Sequence, residues 1–263
     1  MHNFDYHAPK TLDSALALLR DKEDGKIIAG GMTLLPTLKQ RLAAPSDLID
    51  LAALSEMKGV RRDGNEIVIG AMTTHAEVAA NGDVQSLIPA LSHLAGVIGD
   101  PAVRHRGTIG GSVANADPAA DYPAAVVGLN ATIVTNKRKI AADDFFVSLF
   151  ETALERDEII TSVRFPIPER AGYEKFRHPA SGYAVVGVMV AKFGDKVRVG
   201  VTGAAGSAFR ASDFEAALEK NFSSEVLLGI AVSPDDLLSD IHCTNEYRAH
   251  LVNVMARRAI AAA

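Results

Sequence analysis

Two glycine pairs stand out first: Gly30-Gly31, with Thr33 beside it, and Gly110-Gly111, with Thr108 and Ser112 on either side. Glycine lets the main chain approach an anion closely and take positive φ, and consecutive N–H groups can neutralise a phosphate without a lysine. The chemistry expected of such pairs is a backbone cradle for a phosphate; the plain alternative is two tight turns. Neither pair completes the G-x-G-x-x-G fingerprint of a Rossmann site or the GK[ST] ending of a P-loop, which disfavours a dinucleotide fold of that type.

The stretch Asn115-Ala116-Asp117-Pro118-Ala119-Ala120-Asp121-Tyr122-Pro123 gathers two carboxylates and an amide in turn-forming sequence. It reads either as a solvated loop with Asx turns or as a place where Asp121 or Asn115 meets ribose hydroxyls or an adenine edge. The eight histidines, His75, His93, His105 and His178 among them, show no H-x-x-x-H spacing, so packed or exposed histidines are favoured over a metal site. No G-x-S-x-G elbow is present, and Cys243 reads as an inert thiol rather than a nucleophile.

Short α+β units must position these segments. Leu12, Ala15, Leu16, Leu18 and Leu19 recur at helical spacing behind Thr11, a candidate N-cap. Lys26 to Ala29 predicts a strand that stops at the first glycine pair, with helical sequence following as far as Pro45. Asp47–Leu51 and Glu66–Gly70 predict further strands, and Thr74–Ala80 and Leu87–Ile98 predict helices, Pro89 being tolerated in a first turn. Ala124–Leu129, Ala131–Thr135 and Ile159–Phe165 read as apolar or β-rich pieces. Pro166-Ile167-Pro168 then breaks the chain and marks the expected domain boundary. Beyond it, Ala184–Phe193 and Lys196–Val201 predict a hairpin around Gly194-Asp195. Ser212–Asn221 and Asn245–Ala263 predict helices, the last with a fraying alanine tail.

With 263 residues, 48% hydrophobic, 22% charged and a net charge of -5, the chain has the composition of an ordinary globular protein with a substantial core. The acidic balance disfavours nucleic acid and anionic membranes as partners. One cysteine excludes an internal disulfide, a thiolate-held iron–sulfur cluster and a cysteine-rich zinc site. No stretch reaches the ~18 apolar residues of a membrane span, and the first twenty residues lack a signal-peptide pattern, so a cytoplasmic location is expected.

AGGMTLLPTLKQRL at 29–42 and GTIGGSVANADPAADYPAA at 107–125 closely resemble the two glycine motifs of the FAD-binding medium subunit of the molybdenum hydroxylases, the group of carbon monoxide dehydrogenase and xanthine dehydrogenase. The opening F-x-Y-x-x-P with its Ala/Leu-rich helix, RDEIITSVRFP at 156–166 and YEKFRHPASGYAVV at 173–186 resemble it in the same order, so the likeness runs from Phe4 to about Val201. Met32 departs from it, since relatives often carry a polar residue there; a main-chain contact survives that change and a side-chain contact does not.

The resemblance implies an α+β architecture. This is a vanillyl-alcohol-oxidase-like, PCMH-type FAD-binding domain over 1–168, with subdomains at about 1–54 and 55–168, and a small α+β C-terminal domain of the carbon monoxide dehydrogenase flavoprotein type over 169–263. It further implies that Ala29, Gly30, Gly31, Met32 and Thr33, with Leu34 at their edge, and Thr108, Ile109, Gly110, Gly111 and Ser112 wrap the FAD pyrophosphate. Asn115 and Asp121 match positions near the ADP half, Ile160 a position against the flavin ring, Ile98 a ring-side or phosphate-side position, Lys175 a lysine near the isoalloxazine and Tyr183 an aromatic over the ring. Plain core packing is the alternative for Ile98 and Ile160.

By the same resemblance, chemistry is carried by FAD rather than by a side chain. Molybdopterin and [2Fe-2S] clusters are expected on a large and a small partner subunit of a heterotrimer. Electrons would leave through this chain to NAD+ or another acceptor. A stand-alone flavin-dependent NAD(P)H reductase and a flavin-free assembly subunit are the alternatives.

Overall fold

The computed structural model describes residues 1–263. The chain opens with β1 (Asp5–His7), α1 (Leu12–Asp21), β2 (Gly25–Ile28), α2 (Leu34–Lys39) and β3 (Asp47–Asp50). Thr11 caps α1 in a reciprocal capping box with Ser14, and Ala15, Leu16 and Leu19 turn the helix inward. β1 and β2 both lie parallel to β3, the central strand. The first glycine pair therefore emerges just past the carboxyl end of a parallel strand, where open α/β sheets receive ligands.

A second unit follows: β4 (Val60–Asp63), β5 (Glu66–Gly70), α3 (His75–Ala80), α4 (Gly82–Leu87), α5 (Pro89–Gly96), α6 (Pro101–Arg104), α7 (Ile109–Asn115), α8 (Tyr122–Gly128), β6 (Thr132–Thr135), β7 (Lys139–Ala141), the hairpin β8 (Phe146–Ser148) and β9 (Glu151–Thr152), and β10 (Ile160–Pro166). Its antiparallel sheet runs β4-β5-β10-β6-β7. Ile67, Ile69, Ile133, Val163 and Phe165 carry its fully buried face.

Three expectations change here. Ala124–Leu129 is not β-rich: it belongs to α8, whose residues are all buried, so its apolar run has no polar face to reveal a helical period. The glycine-rich segment after Gly107 is mostly the short helix α7. The helix expected from Leu87 starts at Pro89, because Ile88, preceding proline, is held outside the α region at φ -139 and ψ 66.

The C-terminal part is a four-stranded antiparallel sheet in simple order, β11 (Arg170–Arg177), β12 (Ala184–Phe193), β13 (Lys196–Thr202) and β14 (Phe209–Arg210), covered by α9 (Ser212–Lys220) and α10 (Asn245–Ala261). β11 went unpredicted because Gly172 and the adjacent charges Glu174 and Lys175 interrupt any apolar run or strict alternation in it. The alanine tail does not fray: α10 runs to Ala261, and the carbonyl of Ala263 accepts from Arg170 at 3.0 Å.

Two cores result. One lies between β12–β13 and α9–α10, around Val188, Val199, Phe214 and Met255. The larger one fills the preceding units and takes in Tyr173, Met189 and Ala191 from β11 and β12.

Candidate functional site

All three parts of the molecule wall a cleft of about 1020 Å³, at the upper end of the range typical of small-molecule and cofactor sites. Every residue expected to hold a cofactor lines it except two. Ile109 is fully buried, because α7 turns that face onto the core. Lys175 stands behind the wall, bonded to the carbonyl of Gly182 at 3.0 Å.

The two glycine segments touch. A Cβ on Gly30 would enter the van der Waals envelope of the Arg106 carbonyl, and one on Gly110 would come 2.5 Å from the Cβ of Ala71. At Gly30 and Gly110 the missing side chain serves close packing on Arg106 and Ala71 rather than room for an anion, whereas Gly31 takes the positive φ of 72 that glycine permits.

Main-chain donors separate the segments further. In the second one, Ile109 N–H donates to the Thr73 carbonyl at 3.1 Å, Gly110 N–H to the Ala71 carbonyl at 2.8 Å, and Ser112 N–H to the Thr108 carbonyl at 3.0 Å. Gly111 N–H donates to the Thr108 hydroxyl that caps α7. No nest of free amides remains there. In the first segment none of the five consecutive amides from Gly30 to Leu34 donates within the protein. These residues line the cleft, partly buried at Gly30, Gly31 and Leu34 and exposed at Met32 and Thr33, so the array is open to an acceptor from outside. The Ser112 hydroxyl and Asn115 amide, also on the cleft wall, supply further uncommitted polar groups from the second segment.

The loop after α7 is not a solvated turn. Ala116 ends the helix in the left-handed region at φ 46, and the Pro118, Ala119 and Ala120 carbonyls then accept from the C-terminal sheet: Gly203 N–H at 2.6 Å and the Thr202 hydroxyl at 2.8 Å on Pro118, Ala184 N–H at 3.1 Å on Ala119, and the same hydroxyl at 2.7 Å on Ala120. Asp117 accepts from Ala119 N–H, and burial pushes its carboxyl up. Asp121 is almost wholly buried, and its oxygens accept from the Tyr173 hydroxyl at 2.6 Å and the Lys175 ammonium at 2.8 Å. Burial pushes the Asp121 carboxyl up, against the opposing pull of Lys175 and Tyr173. Its carboxylate is thus committed to β11, and the structure gives it an anchoring role where a ribose or adenine contact was expected.

Apolar side chains share the lining with these polar groups. Ile98, Leu154, Ile159, Ile160, Met57 and Met72 line the cleft and suit a planar ring. The 178–183 turn forms the rim from the C-terminal side. Its ends are closed by His178 N–H on the Tyr183 carbonyl, and its Tyr183 ring is raised in pKa by burial and then by Asp117, with the Thr33 hydroxyl acting in the opposite sense. Arg177 reaches from β11 to the carbonyls of Val97 at 3.3 Å and Gly99 at 3.0 Å, on either side of Ile98.

Sequence reasoning missed His75, which also lines the cleft; as one of eight scattered histidines it carried no spacing signal. It equally missed the Ala71–His75 segment, which pairs with Gly107–Gly110 through an isolated bridge between Thr74 and Thr108.

Residues 2–168 match the family described as FAD binding domain in molybdopterin dehydrogenase. The carbon monoxide dehydrogenase medium chain of Hydrogenophaga pseudoflava is 34% identical, over 99% of this chain and 96% of its own length. The nicotine 6-hydroxylase medium subunit of Paenarthrobacter nicotinovorans is 35% identical, over 97% of this chain and 95% of its own. Among solved structures, reconstituted CO dehydrogenase from Oligotropha carboxidovorans superposes with a TM-score of 0.90 at 32% identity, covering 99% of this chain and 97% of that one.

Proposed function

The chain belongs to the FAD-binding medium-subunit family of the molybdenum hydroxylases, and from that premise we propose how it works and where. It is the flavoprotein subunit of an oxidoreductase of that family, with FAD as its cofactor and large and small subunits as partners. The observation that carries the reading is the run of unpaired amides from Gly30 to Leu34 in a cleft that is also lined by apolar side chains. A dinucleotide fits such a cleft: a diphosphate needs clustered donors, and a flavin ring needs flat apolar contact. The amide array gives the same reason to prefer a flavin-binding subunit over a flavin-free one.

When bound, FAD supplies electron transfer between the iron–sulfur clusters of the small subunit and a final acceptor. This chain's own residues bind and orient. The Gly30–Leu34 amides hold the diphosphate, with Ser112 and Asn115 opposite; Ile98 and Ile160 bracket the ring; Tyr183, positioned by the Lys175–Gly182 bond, covers it from the rim. Met32, exposed in this segment, contributes its amide rather than its side chain.

The finer reading is that NAD+ or another electron acceptor takes the electrons, that the protein works in the cytoplasm, and that residues 1–168 and 169–263 are its two domains. No helix is long and apolar enough to cross a membrane. Native mass spectrometry of the purified assembly tests the function: FAD on this chain together with a molybdopterin subunit and a [2Fe-2S] subunit is expected. A chain that purifies alone with FAD and reduces acceptors with NADH at full rate would instead favour a stand-alone reductase.

A further inference from the structure

His75 begins α3, and the residue is 4% exposed. Its backbone is fixed by the bond from its N–H to the Gly107 carbonyl at 3.0 Å, so the imidazole lies under the start of the second glycine segment. A Cβ on Gly107 would meet Nε2 at 2.6 Å, which places that nitrogen directly against the Gly107 backbone. Gly107 in turn packs on Gly30, the first of the unpaired amides, since a Cβ on Gly30 would meet the Gly107 Cα at 2.7 Å. Nδ1 is wholly buried and has no partner. The Tyr122 ring lies beside the imidazole at 5.3 Å between centroids, and its hydroxyl is buried without a partner too.

A buried histidine costs free energy unless its polar edges are used. An orphaned carbonyl-type lone pair is tolerated more often than an orphaned N–H, so the proton belongs on Nε2 and the lone pair on Nδ1, beside Tyr122. Since Nδ1 is sealed, the edge by which His75 reaches the cleft is the one that carries Nε2. Burial, with the nearby Arg104 cation, lowers the histidine to about 4, so the ring stays neutral and keeps this one-donor form at ordinary pH.

We propose that His75 is a further cofactor-binding residue, donating its Nε2–H to the phosphate-bearing part of the dinucleotide where the Gly30 and Gly107 backbones meet. This rests on the FAD reading above and adds a buried side-chain donor to the amides of the first glycine segment. Gly107 is a glycine on this view because any side chain there would displace the ring that supplies the donor.

The test is a fluorescence titration of FAD into deflavinated protein, in the assembly in which it purifies, for wild type, His75→Phe and His75→Gln. His75→Phe should weaken FAD about tenfold or more, the loss of one hydrogen bond to a charged group. His75→Gln, whose amide nitrogen reaches near the Nε2 position, should recover affinity to within about threefold of wild type, which a purely space-filling role would not produce. Should His75→Phe fail to fold, the wild type decides the matter by ¹⁵N-histidine NMR: a neutral Nε2–H tautomer whose resonance moves on adding FAD is expected, and an unmoved resonance overturns the proposal. Unchanged FAD affinity in a folded His75→Phe, or no recovery in His75→Gln, overturns it equally. Wild-type protein that takes up no FAD at all would instead sink the underlying cofactor reading.

Discussion

Gly30 and Arg106 sit backbone to backbone where the two glycine segments meet, with no room for even a methyl group between the Gly30 α-carbon and the Arg106 carbonyl. Gly30→Ala should therefore force the two glycine segments apart. Overpacking of this kind costs about 1–3 kcal/mol. Both the thermal midpoint of the deflavinated protein and its FAD affinity are expected to fall. Gly206→Ala, at a position where a Cβ meets nothing within 4 Å, is the control and should leave both unchanged. Equal behaviour of the two variants would show that the segments have slack.

Asp121 should matter before any cofactor arrives. Asp121→Ala strands the Lys175 ammonium, 5% exposed, and breaking one side of a buried pair costs roughly 3–5 kcal/mol. Denaturant unfolding of the deflavinated protein should show that loss, while Asp117→Ala, which removes a single loop hydrogen bond at the carboxylate, should show much less. An Asp121→Ala variant of undiminished stability that merely loses FAD affinity would return Asp121 to the role of direct ligand.

Acid should weaken the fold through His75. Its folded value, lowered to about 4 by burial and by Arg104, lies below the unfolded value near 6.5, so between those limits the unfolded chain binds a proton that the folded chain refuses. This contribution to stability is intact above pH ~6.5 and declines as the pH falls, by about 1.4 kcal/mol per unit and about 3 kcal/mol in all. Stability measured against pH for wild type and His75→Gln, both without FAD, checks it: the difference curve should slope across that window and be flat above it.

Arg177 joins the C-terminal sheet to the turn that carries Ile98. Being exposed, its two main-chain contacts add little to global stability, so Arg177→Ala should shift the thermal midpoint slightly. The same change frees one rim of the cleft, and FAD should dissociate several-fold faster in stopped-flow fluorescence. An unchanged dissociation rate would mean that the Ile98 turn is held by Arg104 alone, through its bond to the Ile98 carbonyl at 2.9 Å.

Much of this arrangement was legible in sequence because it is local. Thr11 with its apolar stripe, the strand before Gly30-Gly31 and the Gly194-Asp195 hairpin each declare themselves within a dozen residues, and the long 107–125 motif identified the family. What stayed hidden depends on contacts across the chain. Asp121 looks like any loop carboxylate until Tyr173 and Lys175, 52 and 54 residues onward, close on it. The difference between the two glycine segments is invisible in composition, since it turns on which amides the Ala71–Thr73 carbonyls take up. α8 was misread because complete burial erases the periodicity that distinguishes a helix from a strand.

The 116–121 loop has a consequence for any attempt to use this protein as interchangeable parts. Thr202 and Gly203 satisfy the carbonyls of Pro118 and Ala120, and Tyr173, Met189 and Ala191 complete the larger core from across the Pro166-Ile167-Pro168 break. A chain cut at residue 168 would expose those carbonyls, unseat Asp121 and open the core at once. Chimeras that graft the first two-thirds of this subunit onto the last third of a relative should therefore succeed only when the loop and the β12–β13 pair travel together: the seam that the sheets define is not the seam along which the protein can be divided.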